Sequence, residues 1–209
     1  MVKFIVENLG HRFGKRILFR KMDFTLEGGI ALAITGSNGS GKSTLVRILA
    51  GVLQPGRGSA TLHLDGHTVP LEDRPLHCGM VAPYLNVYDG FSAKENLQFL
   101  ARARRLPNAV GRISEVLELV SLAHRADDYV GTYSSGLKQR VRFAAALLSA
   151  PPVLLLDEPG SNLDAVGRAM VDRVMEYQRS RSGVLIVATN EAAEAARCER
   201  ILSVEDYER

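Results

Sequence analysis

The first quarter of the chain has the apolar pattern of β-strands followed by one helix. Residues 2–6 partly alternate between apolar and polar, whereas residues 30–35, after Gly28-Gly29, are almost continuously apolar. Alternation is typical of a strand with one solvent face, and a continuous run is typical of a strand buried on both faces. Residues 45–52 then follow helical spacing, and residues 61–64 run into Asp65-Gly66 as a strand enters a tight turn.

The middle of the chain changes to helical periodicity. Leu97, Leu100 and Ala101 form one apolar stripe, and residues 113–120 place apolar side chains at i, i+3, i+4 and i+7. This spacing predicts amphipathic helices. We predict a third helix over residues 137–149, which the pair Pro151-Pro152 ends.

Strands return in the last quarter of the chain. Residues 153–156 and 184–188 are apolar runs, and a helical pattern over residues 165–178 separates them. Strands that alternate with helices at both ends, with helices alone between them, predict an α/β core that carries a helical insertion.

Composition and charge exclude several classes of protein. The 209 residues are 46% hydrophobic and 23% charged, with a net charge of +3, so we expect no nucleic acid partner. We interpret the basic stretches at residues 12–21 and 102–105 as solvated faces. Cys78 and Cys198 have no close spacing and fit free thiols in a reducing compartment. The longest apolar stretch, residues 143–156, is broken by Ser149 and two prolines, so a membrane function would need a partner.

A glycine-rich loop joins the strand at residues 30–35 to the helix after it. It matches G-x-x-x-x-G-K-[ST], whose backbone amides curl around phosphates at a helix N-terminus. Lys42 is expected to reach the β- and γ-phosphates and Ser43 to ligate Mg²⁺. The sequence therefore predicts an MgATP site in this loop, formed by Gly36, Ser37, Asn38, Gly39, Ser40, Gly41, Lys42, Ser43 and Thr44.

Two acids follow the apolar run at residues 153–156. Asp157 and Glu158 stand where the strand ends, which is the edge at which ligands bind in α/β sheets. Asp157 is expected to hold Mg²⁺, and Glu158 to polarise the attacking water as general base. The alternative is two acids that merely end a strand.

A third motif lies between these two, just before the predicted helix at residues 137–149. In Tyr133-Ser134-Ser135-Gly136-Leu137, Ser134 and Gly136 match the L-S-G-G-Q signature of the ATP-binding cassette (ABC) family, and the other three residues are variants. The chain resembles this family along nearly its whole length. In the family this segment caps the γ-phosphate of ATP bound to the opposite subunit.

Further segments extend the resemblance. Phe13 matches the aromatic position that stacks on adenine, the alternative being a core Phe. Residues 161–164 match the segment that crosses the dimer interface, where Asp164 would couple the two sites; taken alone, Asp164 reads as a helix N-cap. The implied fold is a P-loop NTPase core with a mixed sheet, an N-terminal antiparallel β subdomain and an inserted helical subdomain. Residues 1–83 and 151–209 would form the ATP-binding core, and residues 84–150 the helical subdomain.

Two positions depart from the family pattern. Pro83 stands where members carry a Gln that contacts Mg²⁺ and the attacking water, and Asn86 is a candidate substitute. Asn190 stands where most members have a His, and an amide donates a hydrogen bond to the γ-phosphate but does not titrate near neutrality. We expect working but slow hydrolysis.

The resemblance also implies partners and a location. It implies a homodimer or heterodimer of cassettes that drives separate transmembrane permease subunits from the cytoplasm, on the inner face of the cell membrane. The variant signature and residues 188–191 look most like the ATP-binding subunit for haem export and cytochrome c maturation. The alternatives are a membrane-recruited ABC switch for a non-transport process and a soluble ABC ATPase that acts on ribosomes or DNA.

Overall fold

The computed structural model describes residues 1–161 and 163–208, so Asn162 of the predicted interface segment lies outside the described residues. The described strands fall in the first and last parts of the chain, as the apolar pattern predicts. They are β1 (Val2–Phe13), β2 (Arg16–Glu27), β3 (Ala31–Thr35), β4 (Arg57–Leu64), β5 (His67–Val69), β6 (Cys78–Val81), β7 (Val153–Asp157), β8 (Val184–Ala188) and β9 (Arg200–Ser203).

Three helices lie between β6 and β7, where the sequence predicts a helical insertion. The α-helices are α1 (Lys42–Leu49), α2 (Ala93–Ala103), α3 (Ala109–Leu119), α4 (Ser135–Leu147), α5 (Ala165–Ser180) and α6 (Ala192–Ala195). Among the described residues, no helix combines the length and apolar character that crossing a membrane requires.

The strands form two sheets of different kinds. An antiparallel sheet has the order β2-β1-β4-β5, and a parallel sheet has the order β6-β7-β8-β3-β9. The five strands of the second sheet pair in parallel at every interface. The predicted α/β fold with an antiparallel subdomain is therefore confirmed, with antiparallel pairing confined to the smaller sheet.

The parallel sheet separates two hydrophobic cores. Alternate residues of β7 point to opposite faces, so Leu154 and Leu156 pack with the inserted helices while Val153 and Leu155 pack toward α1 and the antiparallel sheet. All five residues of β7 are buried. This double burial explains the continuous apolar runs in the sequence. Because β3, β7 and β8 pair in parallel, their carboxyl ends lie along one edge of the sheet.

Side-chain caps mark the starts of α2, α4 and α5. Ser92 and Glu95 form a reciprocal capping box at the start of α2. Ser134 caps α4, which begins at Ser135 and ends at Leu147, two residues earlier at each end than predicted. The predicted start at residue 137 is wrong because two consecutive serines are typical of a loop. Here Ser134 is the N-cap instead, so the helix begins at Ser135.

Candidate nucleotide-binding site

The glycine-rich loop runs from the end of β3 into α1. Gly36, Gly39 and Gly41 all have positive φ, which side-chain-bearing residues rarely adopt. A Cβ on Gly36 would approach Ser40 Oγ to 2.6 Å. Lys42 is 5% exposed, and its Nζ donates to the carbonyl oxygens of Gly36 (2.8 Å) and Ser37 (3.1 Å). The loop is thus wound around its own lysine, with the ammonium group held at the loop's centre.

An open cleft of about 380 Å³ lies over this loop. It brings together the loop, the end of the β1–β2 hairpin and the turn after β7, three regions far apart in sequence. Phe13 is 54% exposed, so it is not the core residue that the alternative interpretation required. The cleft is lined by Phe13, Arg16, Leu18, Asn38, Gly39, Gly41, Lys42, Ser43, Thr44 and Glu158.

Asp157 is the last residue of β7 and is 1% exposed. Both of its carboxylate oxygens are buried without a hydrogen-bond partner. Burial raises the pKa of Asp157 and the charge of Glu158 raises it further, while the Ser43 side chain lowers it. A buried carboxylate without partners is costly, so this group is suited to a ligand that supplies positive charge.

The residues present fit Mg²⁺. The cation prefers a few oxygen ligands from carboxylates and substrate phosphates. The unpartnered Asp157 carboxylate and the Ser43 hydroxyl supply such oxygens, and Ser43 also lines the cleft. These two residues are the ones that the sequence assigns to the metal.

Glu158 combines a strained backbone with a position in the cleft. Its φ is +51°, in the left-handed region that a glutamate seldom adopts, and its N–H donates to the carbonyl of Ala188 at 2.8 Å. Strain of this kind persists only when surrounding contacts hold it, and it clusters at functional sites. The turn after β7 therefore presents the Glu158 side chain to the cleft at a cost in backbone energy.

The two positions that depart from the family pattern have different surroundings. The Asn190 amide donates to the side chain of Asn38, so it lies against the glycine-rich loop. Pro83 is exposed in a turn closed by Leu85 N–H and Ala82 C=O (3.1 Å). Among the described residues that line the cleft, neither Pro83 nor Asn86 is present. The role of Asn86 as a substitute stays a prediction.

The signature segment forms a second cleft of about 270 Å³, which shares no lining residue with the first. Ser134 Oγ accepts from Leu137 N–H (3.3 Å), and Asp164 Oδ1 accepts from Gly167 N–H (2.7 Å), so both side chains are N-caps. The lining residues are Ser134, Ser135, Gly136, Leu137, Arg140, Leu163 and Asp164. The two halves of the predicted ATP site are therefore separate within one chain.

Sequence reasoning missed two residues at the loop. The Arg16 guanidinium lines the cleft and donates to the carbonyl of Gly39 at 2.8 Å. Glu205, near the end of the chain, accepts from Ser37 N–H at 2.8 Å, and the Ser37 side chain together with this backbone bond holds the pKa of Glu205 below its usual value. Arg16 lies in a basic stretch interpreted as solvated, and Glu205 lies 168 residues from its partner, so no local pattern identifies either.

The sequence of this chain also matches a known protein family over the region that forms the site. The family model described as "ABC transporter" matches residues 19–161, which include the glycine-rich loop, the signature segment, Asp157 at the end of β7 and Glu158 directly after it. The chain belongs to the ABC transporter family, and its class is that of the ATP-binding ABC ATPase domain.

Individual relatives agree with this assignment. The chain is 33% identical over 207 residues to the aliphatic sulfonates import ATP-binding protein SsuB 2 of Pseudomonas aeruginosa, covering 97% of this chain and 72% of that protein. It is 31% identical over 204 residues to the Nod factor export ATP-binding protein I of Burkholderia lata, covering 95% of this chain but 66% of that protein, just under two thirds. These names point to different cargoes, so the haem-export subtype stays a prediction.

A solved structure extends the comparison to the fold. A dimeric ATP-binding cassette in a post-hydrolysis state, bound to ADP and Pi, superimposes with a TM-score of 0.82. The alignment covers 97% of this chain and 94% of that one at 24% identity. At this identity the likeness establishes the fold.

Proposed function

We propose that the chain is the ATP-binding and ATP-hydrolysing subunit of an ABC transporter. One observation carries the proposal: Lys42, Ser43 and Glu158 line one cleft, and the unpartnered Asp157 lies directly before Glu158. A phosphate cradle, a cation site and a general base are thereby brought together, and these are the parts that phosphoryl transfer to water requires.

Each group then has a defined task. The loop amides and Lys42 hold the β- and γ-phosphates, and the exposed Phe13 ring stacks on the adenine. Ser43 and Asp157 hold Mg²⁺, which supplies charge neutralisation on the transferred phosphoryl group. Glu158 accepts the proton of the attacking water, and Asn190 donates an amide hydrogen bond to the γ-phosphate.

Replacement of the base tests this proposal. In Glu158→Gln the amide keeps the size of the side chain but does not accept the proton, so turnover should fall on the order of 100-fold or more. MgATP affinity, measured by titration calorimetry, should stay within about threefold because the loop and Lys42 are unchanged. Turnover near that of the wild type would remove Glu158 from this role.

Hydrolysis in this chain should be slow. Pro83 has no side-chain donor or acceptor with which to orient water, and Asn190 does not shuttle a proton. Asn190→His should keep or raise turnover. A loss of turnover of about tenfold in this variant would show that the amide contact to Asn38 matters more than a titratable ring.

We propose that two cassettes assemble head to tail, as a homodimer or a heterodimer. Ser134 and Gly136 line a cleft of their own, so they cap ATP only when a second chain presents them. The dimeric state of the solved cassette supports the same arrangement. Asp164, which lies beside Arg140 at 3.9 Å in the signature cleft, would connect the two sites across the interface.

The surface for a transmembrane permease is proposed to be an aromatic patch, formed by Tyr84, Tyr88, Phe91 and Phe99. These rings are 40–55% exposed, and Tyr88 contacts Phe91 and Phe99 at centroid distances of 5.5 and 5.4 Å. Exposed clustered aromatics are enriched at protein interfaces. The patch belongs to residues 84–150, the proposed helical subdomain, whereas residues 1–83 and 151–209 form the proposed ATP-binding core.

Two elements hold the segment that carries this patch. The Arg47 guanidinium of α1 lies over the Tyr84 ring at 4.2 Å, and Lys138 of α4 forms an ion pair with Asp89 at 2.8 Å. A partner that moves the segment would therefore displace both the helix after the glycine-rich loop and the helix after the signature. This arrangement supports a coupling between membrane partner and ATP site.

Tyr88→Ala and Phe91→Ala test the patch. Each should weaken co-purification with a membrane protein while MgATP affinity stays unchanged, because neither ring lines the nucleotide cleft. Val110→Ala, an exposed apolar residue elsewhere on the helical insertion, is the matched control. Capture of ribosomes and no membrane protein would favour the soluble alternative, and capture of a non-transport membrane enzyme would favour the switch.

A further inference from the structure

Glu194 is a buried acid that the proposed chemistry does not use. It lies on α6, just after β8, and is 4% exposed. Its Oε2 accepts a hydrogen bond of 2.5 Å from the hydroxyl of Thr189, the residue before Asn190. Among the described ion pairs none includes Glu194, so no salt bridge accounts for its burial.

The other carboxylate oxygen of Glu194 faces the turn after β7. A methyl group on Gly160 would overlap Glu194 Oε1, so the backbone of this turn packs directly against the carboxylate. Burial raises the pKa of Glu194, while the hydrogen bond from Thr189 and the Gly160 backbone lower it. The same turn contains Glu158 with its left-handed backbone.

Glu194 thus contacts the two segments that follow β7 and β8, and these segments carry the proposed catalytic side chains. The turn after β7 presents Glu158, and the segment after β8 presents Asn190. These two ends are otherwise joined by the bond from Glu158 N–H to Ala188 C=O, and the segment after β8 is closed by the bond from Glu191 N–H to Thr189 Oγ1 (2.9 Å). A strained residue keeps its conformation only when several contacts determine it.

We infer that Glu194 is a positioning residue. By bridging Gly160 and Thr189, it holds the turn that carries Glu158 and the segment that carries Asn190 in a fixed position relative to each other. The inference rests on the proposed function, because it assigns Glu194 the task of orienting Glu158. Burial of a carboxylate that no salt bridge compensates lowers stability rather than raising it, which is the pattern expected of a group retained for geometry.

A second buried clamp provides the matched control. Gln178 is 2% exposed, and its amide donates to the carbonyls of Pro151, Pro152 and Val184. It therefore holds the amino ends of β7 and β8, whereas Glu194 holds the segments beyond their carboxyl ends. Both side chains are buried and bridge β7 to β8, but at opposite ends of the two strands.

The experiment measures kcat, ATP affinity and thermal stability for Glu194→Gln, Thr189→Val and Gln178→Leu. Glutamine offers one acceptor oxygen instead of two, and a valine in place of Thr189 offers no hydroxyl, so both changes should lower kcat on the order of 10- to 100-fold. ATP affinity should stay within about twofold, because the loop and Lys42 are untouched. Thr189→Ser keeps the hydroxyl and should restore kcat.

The control separates positioning from stability. Gln178→Leu should lower the melting temperature at unchanged kcat per folded chain. The inference is overturned if Glu194→Gln and Thr189→Val keep wild-type kcat, or if kcat and ATP affinity fall together. Wild type and Glu158→Gln are measured in the same series. The proposed function fails if the wild type hydrolyses no ATP, or if Glu158→Gln hydrolyses ATP as fast as the wild type. If only the Glu194 and Thr189 variants behave like wild type, this inference alone fails.

Discussion

Polar groups are paired with each other at the start of α2 in the inserted segment, whereas several of those around the nucleotide cleft are buried without a partner. At the start of α2, Ser92 and Glu95 satisfy each other's backbone amides with bonds of 3.1 and 2.7 Å. At the cleft, Ser40 Oγ and both Asp157 oxygens are buried without a partner, and Glu158 has a strained backbone. Buried polar groups are usually paired, so the unpartnered Asp157 carboxylate beside the cleft indicates that a cationic ligand completes it.

This difference in pairing indicates that the cleft, rather than the start of α2, lowers the stability of the ligand-free chain. A capping box stabilises a helix whether or not ligand is present, whereas an unpaired acid lowers the stability of the ligand-free chain. The start of α2 is thus satisfied within one chain, whereas the Asp157 carboxylate beside the cleft has no partner within it.

The largest expected effect comes from Asp157→Asn. Turnover should be abolished, because the amide supplies no negative charge for Mg²⁺, while the ligand-free variant should gain about 1 kcal/mol of unfolding free energy. The folded-state pKa of Asp157 is raised, so the wild-type penalty is full above that pKa and is absent below the unfolded value of about 3.9. Chemical denaturation at several pH values should show the gain growing as the pH rises. A destabilised variant at neutral pH would contradict this account of the cleft.

A pair of serine substitutions tests the comparison directly. Ser92→Ala removes a satisfied cap and should cost about 1 kcal/mol of unfolding free energy with no change in ATP affinity. Ser40→Ala removes a hydroxyl that is buried and unpartnered, so the stability of the ligand-free chain should change by less than about 0.5 kcal/mol. Equal losses in the two variants, measured by urea unfolding, would remove the distinction between the two regions.

The smallest expected effect concerns Arg16. Its guanidinium lines the cleft beside the loop, so Arg16→Ala should weaken ATP and ADP binding by a similar factor, roughly three- to tenfold. Arg20→Ala, an exposed arginine on the same strand, should leave both affinities unchanged. If ATP binding alone weakened, Arg16 would act on the γ-phosphate instead.

Much of this fold could be predicted because its signals are local. The run before the glycine-rich loop and the run before Asp157 are buried strands, and the phosphate loop spans nine consecutive residues. The start of β2 was harder to predict, because regular alternation of buried residues begins only at Met22, after a basic stretch. All of those basic residues are exposed as expected, and Arg16 shows that a solvated stretch can still supply a group to a site.

The remaining site residues could not be predicted because their contacts are not local. Glu205 contacts Ser37, 168 residues away in sequence, and Glu194 contacts the turn at Gly160 because β7 and β8 are neighbours in the sheet. The left-handed backbone of Glu158 is likewise invisible in a sequence that places no glycine there. These features follow from tertiary packing, which residue spacing does not encode.

The central claim is that one chain holds half of an ATP site, with Lys42 and Ser43 on one cleft and Ser134 and Gly136 on another. Sedimentation of Glu158→Gln, which should bind MgATP without consuming it, tests this claim most directly. This variant should sediment as a monomer without nucleotide and as a dimer with saturating MgATP, and it should be a monomer again when Ser134 is also changed to Arg. A Glu158→Gln chain that stays monomeric with saturating MgATP bound would contradict it.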